Sequence, residues 1–246
     1  MSPSTDEAPP HPNRLLAALP RADYEALAPD LEDVRLAHKQ SLADRGRPTT
    51  HVYFPRGAVL SILVVMADGQ FVEGATIGHE GMLGLAAFLG DGTSTDDVVC
   101  QVPGEAARMG VSEFRVACER SPRLQEVLRH YTLALMGQMT RTAGCNRVHP
   151  VEERCARWLL MTHDRVGADE FQLTHEFLAA MLGVRRATVT VAAGMLHQAG
   201  LIEYRRGRMR ILDRDGLQDA ACEDYRLTED IYDGLFRRLD GAGSGG

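Results

Sequence analysis

Two short runs hold most of the side chains here that could do chemistry. The first is Arg185-Arg186-Ala187-Thr188-Val189-Thr190 and the second is Arg205-Arg206-Gly207-Arg208-Met209-Arg210. Guanidinium groups bind phosphate through charge-assisted hydrogen bonds and can grip guanine through two parallel ones. Threonine can bond a phosphate or touch a thymine methyl. The chemistry on offer is recognition of nucleic acid rather than bond making. Residues 174–214 hold seven arginines against three acids, a local charge of +4 in a chain whose formal net charge is −7. Such a basic island in an acidic chain is what phosphate contacts require. Enzyme motifs are lacking. His79-Glu80 would need a second His at position 83 to make a zinc hydrolase helix, and that residue is Leu83. There is no G-x-S-x-G and no phosphate-binding glycine loop, so no catalysis is expected.

The elements around these runs predict how they are held. Thr174 can cap a helix over His175–Leu182, and Gly183 sits where a helix ends at positive φ. Val184 plugs the turn. A second helix then runs from Arg185 or Arg186 to His197, with Val189, Ala192, Ala193 and Leu196 facing inward, and Gly200 ends it. This is the helix-turn-helix plan, whose second helix presents its N-terminal side chains to the major groove. Two strands, Leu201–Tyr204 and Met209–Leu212, flank the second arginine run and make it a basic wing. The expected DNA-facing set is therefore Thr174, Arg185, Arg186, Thr188, Thr190, Arg205, Arg206, Arg208 and Arg210.

Upstream the texture changes twice. Residues 1–12 are rich in Pro, Ser and acid and are expected to be disordered. From about 31 to 111, short apolar runs (Val52–Phe54, Val59–Met66, Phe71–Ile77, Val98–Val102, Ala106–Val111) alternate with Gly and Pro turns, the texture of an antiparallel barrel or jelly roll. Asp68-Gly69 carries a two-residue hairpin signal. Beyond 111 the pattern is helical. Ser112 can cap a short helix over Glu113–Arg120, and Ser121-Pro122 restarts a long one, with Pro tolerated in its first turn, reaching about Asn146. The long helix bears one stripe of Leu124, Leu128, Tyr131, Leu135, Gln138 and Thr142 and another of Thr132, Met136, Met139 and Ala143. One stripe would serve the barrel and the other a partner helix. The first is assigned to a dimer seam. His149-Pro150 marks a boundary, followed by an amphipathic helix over Glu152–Arg165. Leu227, Ile231 and Leu235 predict an additional C-terminal helix that packs on the winged helix or touches a partner, and 241–246 reads as a flexible tail.

Taken together, Leu173–Val189, Val52-Tyr53-Phe54-Pro55 and Gly78-His79-Glu80-Gly81 resemble the Crp/Fnr family of bacterial transcription regulators, and the resemblance runs over about residues 14–220. It implies an α+β chain: an N-terminal antiparallel β-roll like that of cyclic-nucleotide-binding domains (13–120), a long dimerisation helix (121–148), a C-terminal winged helix-turn-helix (149–220) and the extra helix (221–240). It also implies a homodimer on a two-fold symmetric operator, with RNA polymerase as a further partner. The recognition-helix pattern of Arg, Glu, Thr and Val is matched by Arg186, Thr188 and Val189, with Ala187 in place of the Glu. A later base-contacting Arg is replaced by Val191, so the operator should differ from the best-known one.

The same resemblance places Glu80, Thr95, Asp96 and Asp97 at the effector pocket. Thr95 falls where cyclic-nucleotide binders carry an arginine for the phosphate, and two carboxylates follow it. Weak or no binding of cyclic AMP is expected, and the effector is unidentified. Clustered N-terminal cysteines, the mark of an iron–sulfur relative, are lacking. The five cysteines, at 100, 118, 145, 155 and 222, are odd in number and never spaced C-x-x-C. Reduced thiols in a cytoplasm are expected, with no metal, no cofactor and no membrane association. The alternative is a regulator sensing a small molecule other than a cyclic nucleotide, or sensing oxidants through a thiol switch.

Overall fold

The computed structural model describes residues 12–242. The expected tails at 1–12 and 241–246 fall almost wholly outside the described residues. Gly241 and Ala242, assigned to a tail from composition, instead continue the last helix.

Two short helices, α1 (Arg14–Ala17) and α2 (Arg21–Leu27), lead in. Asn13 is fully buried and caps α1, accepting from the backbone N–H groups of Leu15 and Leu16. Its Nδ2 donates to the carbonyls of Pro55 and Gly81, which seats the helix on the sheet region that follows.

Seven strands form that region: β1 (Glu32–Leu36), β2 (Ser41–Ala43), β3 (His51–Pro55), β4 (Val59–Val65), β5 (Phe71–Ile77), β6 (Asp97–Val102) and β7 (Gly104–Gly110). A helix, α3 (Leu85–Leu89), interrupts them. They make two antiparallel sheets, β1-β7-β3 and β2-β6-β4-β5. The inward residues of both meet in one core that includes Leu36, Phe54, Leu60, Ile77, Val98 and Met109. The β4–β5 connection is longer than the two-residue hairpin expected. Gly69 N–H bonds the carbonyl of Met66, Gly69 adopts φ 83°, and Met66 N–H bonds the carbonyl of Gln70. This is the three-residue turn with glycine in the left-handed position.

Helices α4 (Val111–Arg120) and α5 (Pro122–Val148) follow. Helix α5 restarts at Ser121-Pro122 as expected, with Ser121 capping it by accepting from Leu124 N–H, whereas α4 starts at Val111 and so leaves Ser112 inside the helix. Only His149 and Pro150 separate α5 from helix α6 (Val151–Val166). Next come β8 (Glu170–Gln172), α7 (His175–Leu182), α8 (Arg186–Gln198), β9 (Ile202–Arg205), β10 (Arg208–Ile211) and α9 (Arg214–Asp219). Strands β8-β10-β9 form a small antiparallel sheet; β8 has no counterpart in the sequence reading, being only three residues long.

Helix α6 departs from the simple amphipathic expectation. Every residue from Arg154 to Thr162 is buried, because α6 lies between the strand region and α7–α8. Val59, Leu63 and Val102 of the roll share one apolar cluster with Leu159, Leu178, Val189 and Ile202.

The last helix, α10 (Asp224–Ala242), packs along α5. Tyr232, Leu235, Phe236 and Leu239 join the core beneath α5, while Leu227, expected on the packing stripe, is exposed. Gly137 of α5 permits the close approach: a Cβ there would meet Ile231 Cδ1 at 3.0 Å. Among the described residues, no single helix is long and apolar enough to cross a membrane.

Candidate nucleic-acid interface

Helices α7 and α8 meet at 106°, within the range of helix-turn-helix pairs. Thr174 Oγ1 accepts from Phe177 N–H and fixes the start of α7. At its end Gly183 adopts φ 65°, and the N–H of Val184 bonds the carbonyl of Ala179. That bond, with Val184 packed against the core, satisfies carbonyls the helix would otherwise leave open. The guanidinium of buried Arg154 binds the carbonyl of Leu182 and, at 2.8 Å, Asn146 Oδ1, tying the turn to the end of α5.

Helix α8 buries Val189, Ala192, Ala193 and Leu196, the face the spacing predicts. The opposite face presents Arg185, Arg186, Thr188 and Thr190 to solvent. Val191, at the position of the later base-contacting Arg, is exposed there too, as is Met195, an apolar residue that the sequence pattern does not single out. The wing turn is Arg206-Gly207, with φ 51° and 78°, the left-handed pair that a tight hairpin needs. It carries Arg205, Arg206, Arg208 and Arg210 outward.

These cations are not equivalent. Arg208 Nη1 lies 2.6 Å from Glu170 Oε1 on β8, so part of its charge is already answered. Among the described residues, no carboxylate pairs with Arg185, Arg186, Arg205, Arg206 or Arg210. Arg214, which contributes to the local charge of this segment, bonds Asp164 and Tyr225 and braces α6 against the start of α10.

His175 had no sequence signal and proves central to this surface. Its ring stacks on Tyr204 of β9 with centroids 4.1 Å apart, and its Nδ1 lies 3.2 Å from Thr190 Oγ1. It thus joins α7, the outer face of α8 and the wing. Burial, with help from the charge of Arg186, holds the imidazole below its ordinary pKa and therefore neutral.

Two expected groups are placed differently. Leu124, Leu128, Tyr131, Leu135 and Gln138 are buried inside the chain itself, against the roll and α10. These side chains are taken up within their own chain and leave little surface for a partner; Thr142, half-buried, accepts from Arg157 Nη2. The exposed face of α5 carries Leu133 (62% exposed), which belongs to neither predicted stripe, and Met136 (58% exposed) of the second stripe, whose Met139 is half-buried against the core.

The effector residues are also divided. A cavity of about 450 Å³ lies between the roll and α5, floored by Ile62, Met82, Leu83, Leu135 and Met139, with Thr95 and Asp96 among its polar lining. Asp97 is not among the lining residues; its Oδ1 accepts the N–H of Arg45. Glu80 lies elsewhere, in a buried ion pair with Arg165 of α6. The glycines of Gly78-His79-Glu80-Gly81 have a steric reason: a Cβ at Gly78 would meet Arg165 Cγ at 2.5 Å, and one at Gly81 would meet Tyr131 Oη at 2.5 Å.

Comparison with known proteins agrees with this architecture. Residues 153–220 match the model of the Crp-like helix-turn-helix domain. Among solved structures, FixK2 from Bradyrhizobium japonicum is similar, with a TM-score of 0.65 and 16% identity over 78% of this chain and 98% of that one. The Crp/Fnr-family regulator TTHA1359 from Thermus thermophilus gives 0.63 and 20% over 77% and 98%. The c-di-GMP-responsive global regulator CLP of Xanthomonas campestris gives 0.62 and 16% over 77% and 98%. No curated protein sequence matches. The chain carries a Crp-like helix-turn-helix domain and has the fold of the Crp/Fnr-family transcription regulators.

Proposed function

We propose that this protein is a sequence-specific, non-enzymatic DNA-binding transcription regulator that acts as a homodimer on a two-fold symmetric operator. The observation that carries the reading is the outer face of α8, where no carboxylate among the described residues pairs with Arg185 or Arg186 at the helix start, beside an arginine-bearing wing. Arg186 and Thr188 are the base-reading residues. Arg185, Thr174 and Thr190 flank them, and Arg205, Arg206, Arg208 and Arg210 meet phosphate along the duplex. Exposed Val191 sits where it can touch a thymine methyl.

The dimer forms through the exposed stripe of α5, centred on Leu133 and Met136, which places two recognition helices on successive major grooves. The cavity beside that stripe holds the effector. None of its lining residues is Arg, Lys or His, and its acids are Asp91 and Asp96. An anionic phosphate would be desolvated there without a counter-charge. The cavity instead suits an apolar ligand that is neutral or cationic, and cyclic AMP is not its effector. The setting for this activity is the cytoplasm, with RNA polymerase as the protein partner.

Selection of bound duplexes from a random library, followed by footprinting, tests the reading. An inverted-repeat site with half-sites about one helical turn apart is the expected result. Recovery of no enriched sequence, with binding that depends on salt alone, would count against it.

A further inference from the structure

Four potential ligands converge where α5 ends and α10 begins: Cys145, His149, Cys222 and Asp224. One ligand atom from each lies within 4.8 Å of all the others. The two Sγ atoms are 3.4 Å apart, and His149 Nδ1 is 3.4 Å from Asp224 Oδ2. Cys145, Cys222 and Asp224 are buried.

The geometry points to a binding site for one divalent metal ion of the zinc class, coordinated tetrahedrally by Cys145 Sγ, Cys222 Sγ, His149 Nδ1 and an Asp224 carboxylate oxygen. Zinc–sulfur bonds of about 2.3 Å and zinc–nitrogen or zinc–oxygen bonds of about 2.0–2.1 Å place tetrahedral ligands roughly 3.3–3.8 Å apart. The nitrogen–oxygen separation matches its edge of about 3.3 Å, the two sulfurs stand roughly 0.4 Å closer than their edge of about 3.8 Å, and the ligand atoms farthest apart would have to draw together around an ion.

Two further observations favour an ion over incidental crowding. His149 Nδ1 is buried and has no hydrogen-bond partner, which leaves a lone pair aimed into the cluster. Its other nitrogen, Nε2, lies 3.1 Å from Glu223 Oε2. A carboxylate on the far nitrogen is the arrangement that fixes a metal-binding imidazole and raises its basicity. Cys145 and His149, four residues apart at the end of α5, project to one side. Arg154 and Arg157 of α6 donate to Asn146 and Thr142, on either side of Cys145, and bring positive charge to the cluster. The same arginines, with Arg141 at 3.7 Å from Asp224, offset the three negative charges that two thiolates and a carboxylate would bring. Because His149-Pro150 joins α5 to α6, an ion here would clamp the link to the helix-turn-helix domain against α10. Pairwise cysteine spacing could not reveal the set, since its two halves lie 77 residues apart.

The test is metal content and spectroscopy of the full chain. Protein purified without chelator from zinc-supplemented medium is expected to retain one zinc per chain after dialysis. Cobalt substitution should produce the absorption of a tetrahedral thiolate-bound ion, and metal uptake should release thiol protons. Cys145→Ser and His149→Gln should each lower zinc affinity by more than the roughly 10–100-fold typical of losing a mere supporting residue, while Cys118→Ser leaves it unchanged. His149 is at the edge of the cluster, so its variant separates loss of metal from loss of folding, checked by circular dichroism. Substoichiometric zinc that dialysis removes, a cobalt spectrum without thiolate bands, or a Cys145–Cys222 disulfide in freshly purified protein would each overturn the site.

Discussion

Arg165 and Glu80, far apart in sequence, form an ion pair of 2.9 Å in which each side chain is only 7% exposed. Arg165 also donates to the carbonyl of Met161, and Glu80 Oε1 also accepts the N–H of Gly78. The pair therefore joins the helix leading into the DNA-binding region to the loop that closes β5. Desolvating two ions costs several kcal/mol each, which their attraction recovers only when both are present.

Removing one member should be expensive. Arg165→Met leaves the Glu80 carboxylate buried without its counter-ion, and a loss of about 3–5 kcal/mol is expected in urea unfolding. The double variant Arg165→Met/Glu80→Leu should recover much of that loss. Equal, additive losses would mean that the two side chains do not depend on one another.

Glu73 gives a pH-dependent counterpart. It is buried on β5, accepting from Trp158 Nε1 at 2.6 Å and Thr76 Oγ1 at 2.7 Å. Burial raises its pKa above the ordinary carboxylate value, against the lowering effect of these donors. The folded state thus holds the proton more tightly than the unfolded chain. Stability from this group is fully present below the unfolded carboxylate pKa of about 4.3 and declines as pH rises through the folded one. Glu73→Gln cannot ionise, and the Thr76 hydroxyl can turn to accept from the new amide. The melting temperature of Glu73→Gln relative to the parent should therefore climb as pH rises from about 4.5 toward neutrality. Parallel curves across that range would contradict a raised pKa.

Base reading and phosphate binding separate by salt and sequence. Arg186→Ala is expected to cost about 1–3 kcal/mol on the selected operator and to relax preference at one position of each half-site. Arg206→Ala should weaken all sequences alike and reduce the salt slope by about one. If Arg186→Ala instead weakens every sequence equally, base contact does not belong to it. Arg208→Ala should be the mildest wing change, because Glu170 already occupies that guanidinium.

What the sequence reveals is mainly what local periodicity controls. Val189, Ala192, Ala193 and Leu196 point inward because a helix of about 3.6 residues per turn must put them on one face, and Gly183 and Arg206-Gly207 mark turns that chain geometry demands. The missed features depend on which surface meets which. Glu80 reads as a pocket residue until α6 brings Arg165 to it. His175 gains its role only when the wing folds back to place Tyr204 over its ring. Apolar residues run almost round α5, and nothing local says which of them face outward. Helix α10 decides it by covering Gln138, whose Oε1 accepts from Tyr232 Oη at 2.7 Å across a sequence separation of 94 residues.

That choice of stripe makes the sharpest test of assembly. Leu133 and Met136 are three residues apart on α5, so they share a face, and both are more than half exposed in the single chain. Leu128 is fully buried beneath the same helix. Met136→Asp with Leu133→Asp should yield a monomer by sedimentation with its helical signal intact, because a charge at an interface core is costly only when a partner covers it. Operator affinity should fall with it, since two half-sites then no longer bind as one unit. Leu128→Asp should instead unfold the chain, burying a carboxylate where no counter-ion is present. A folded monomer from Leu128→Asp, or an undiminished dimer from the Leu133 and Met136 pair, would return the seam to the stripe that the sequence pattern favours.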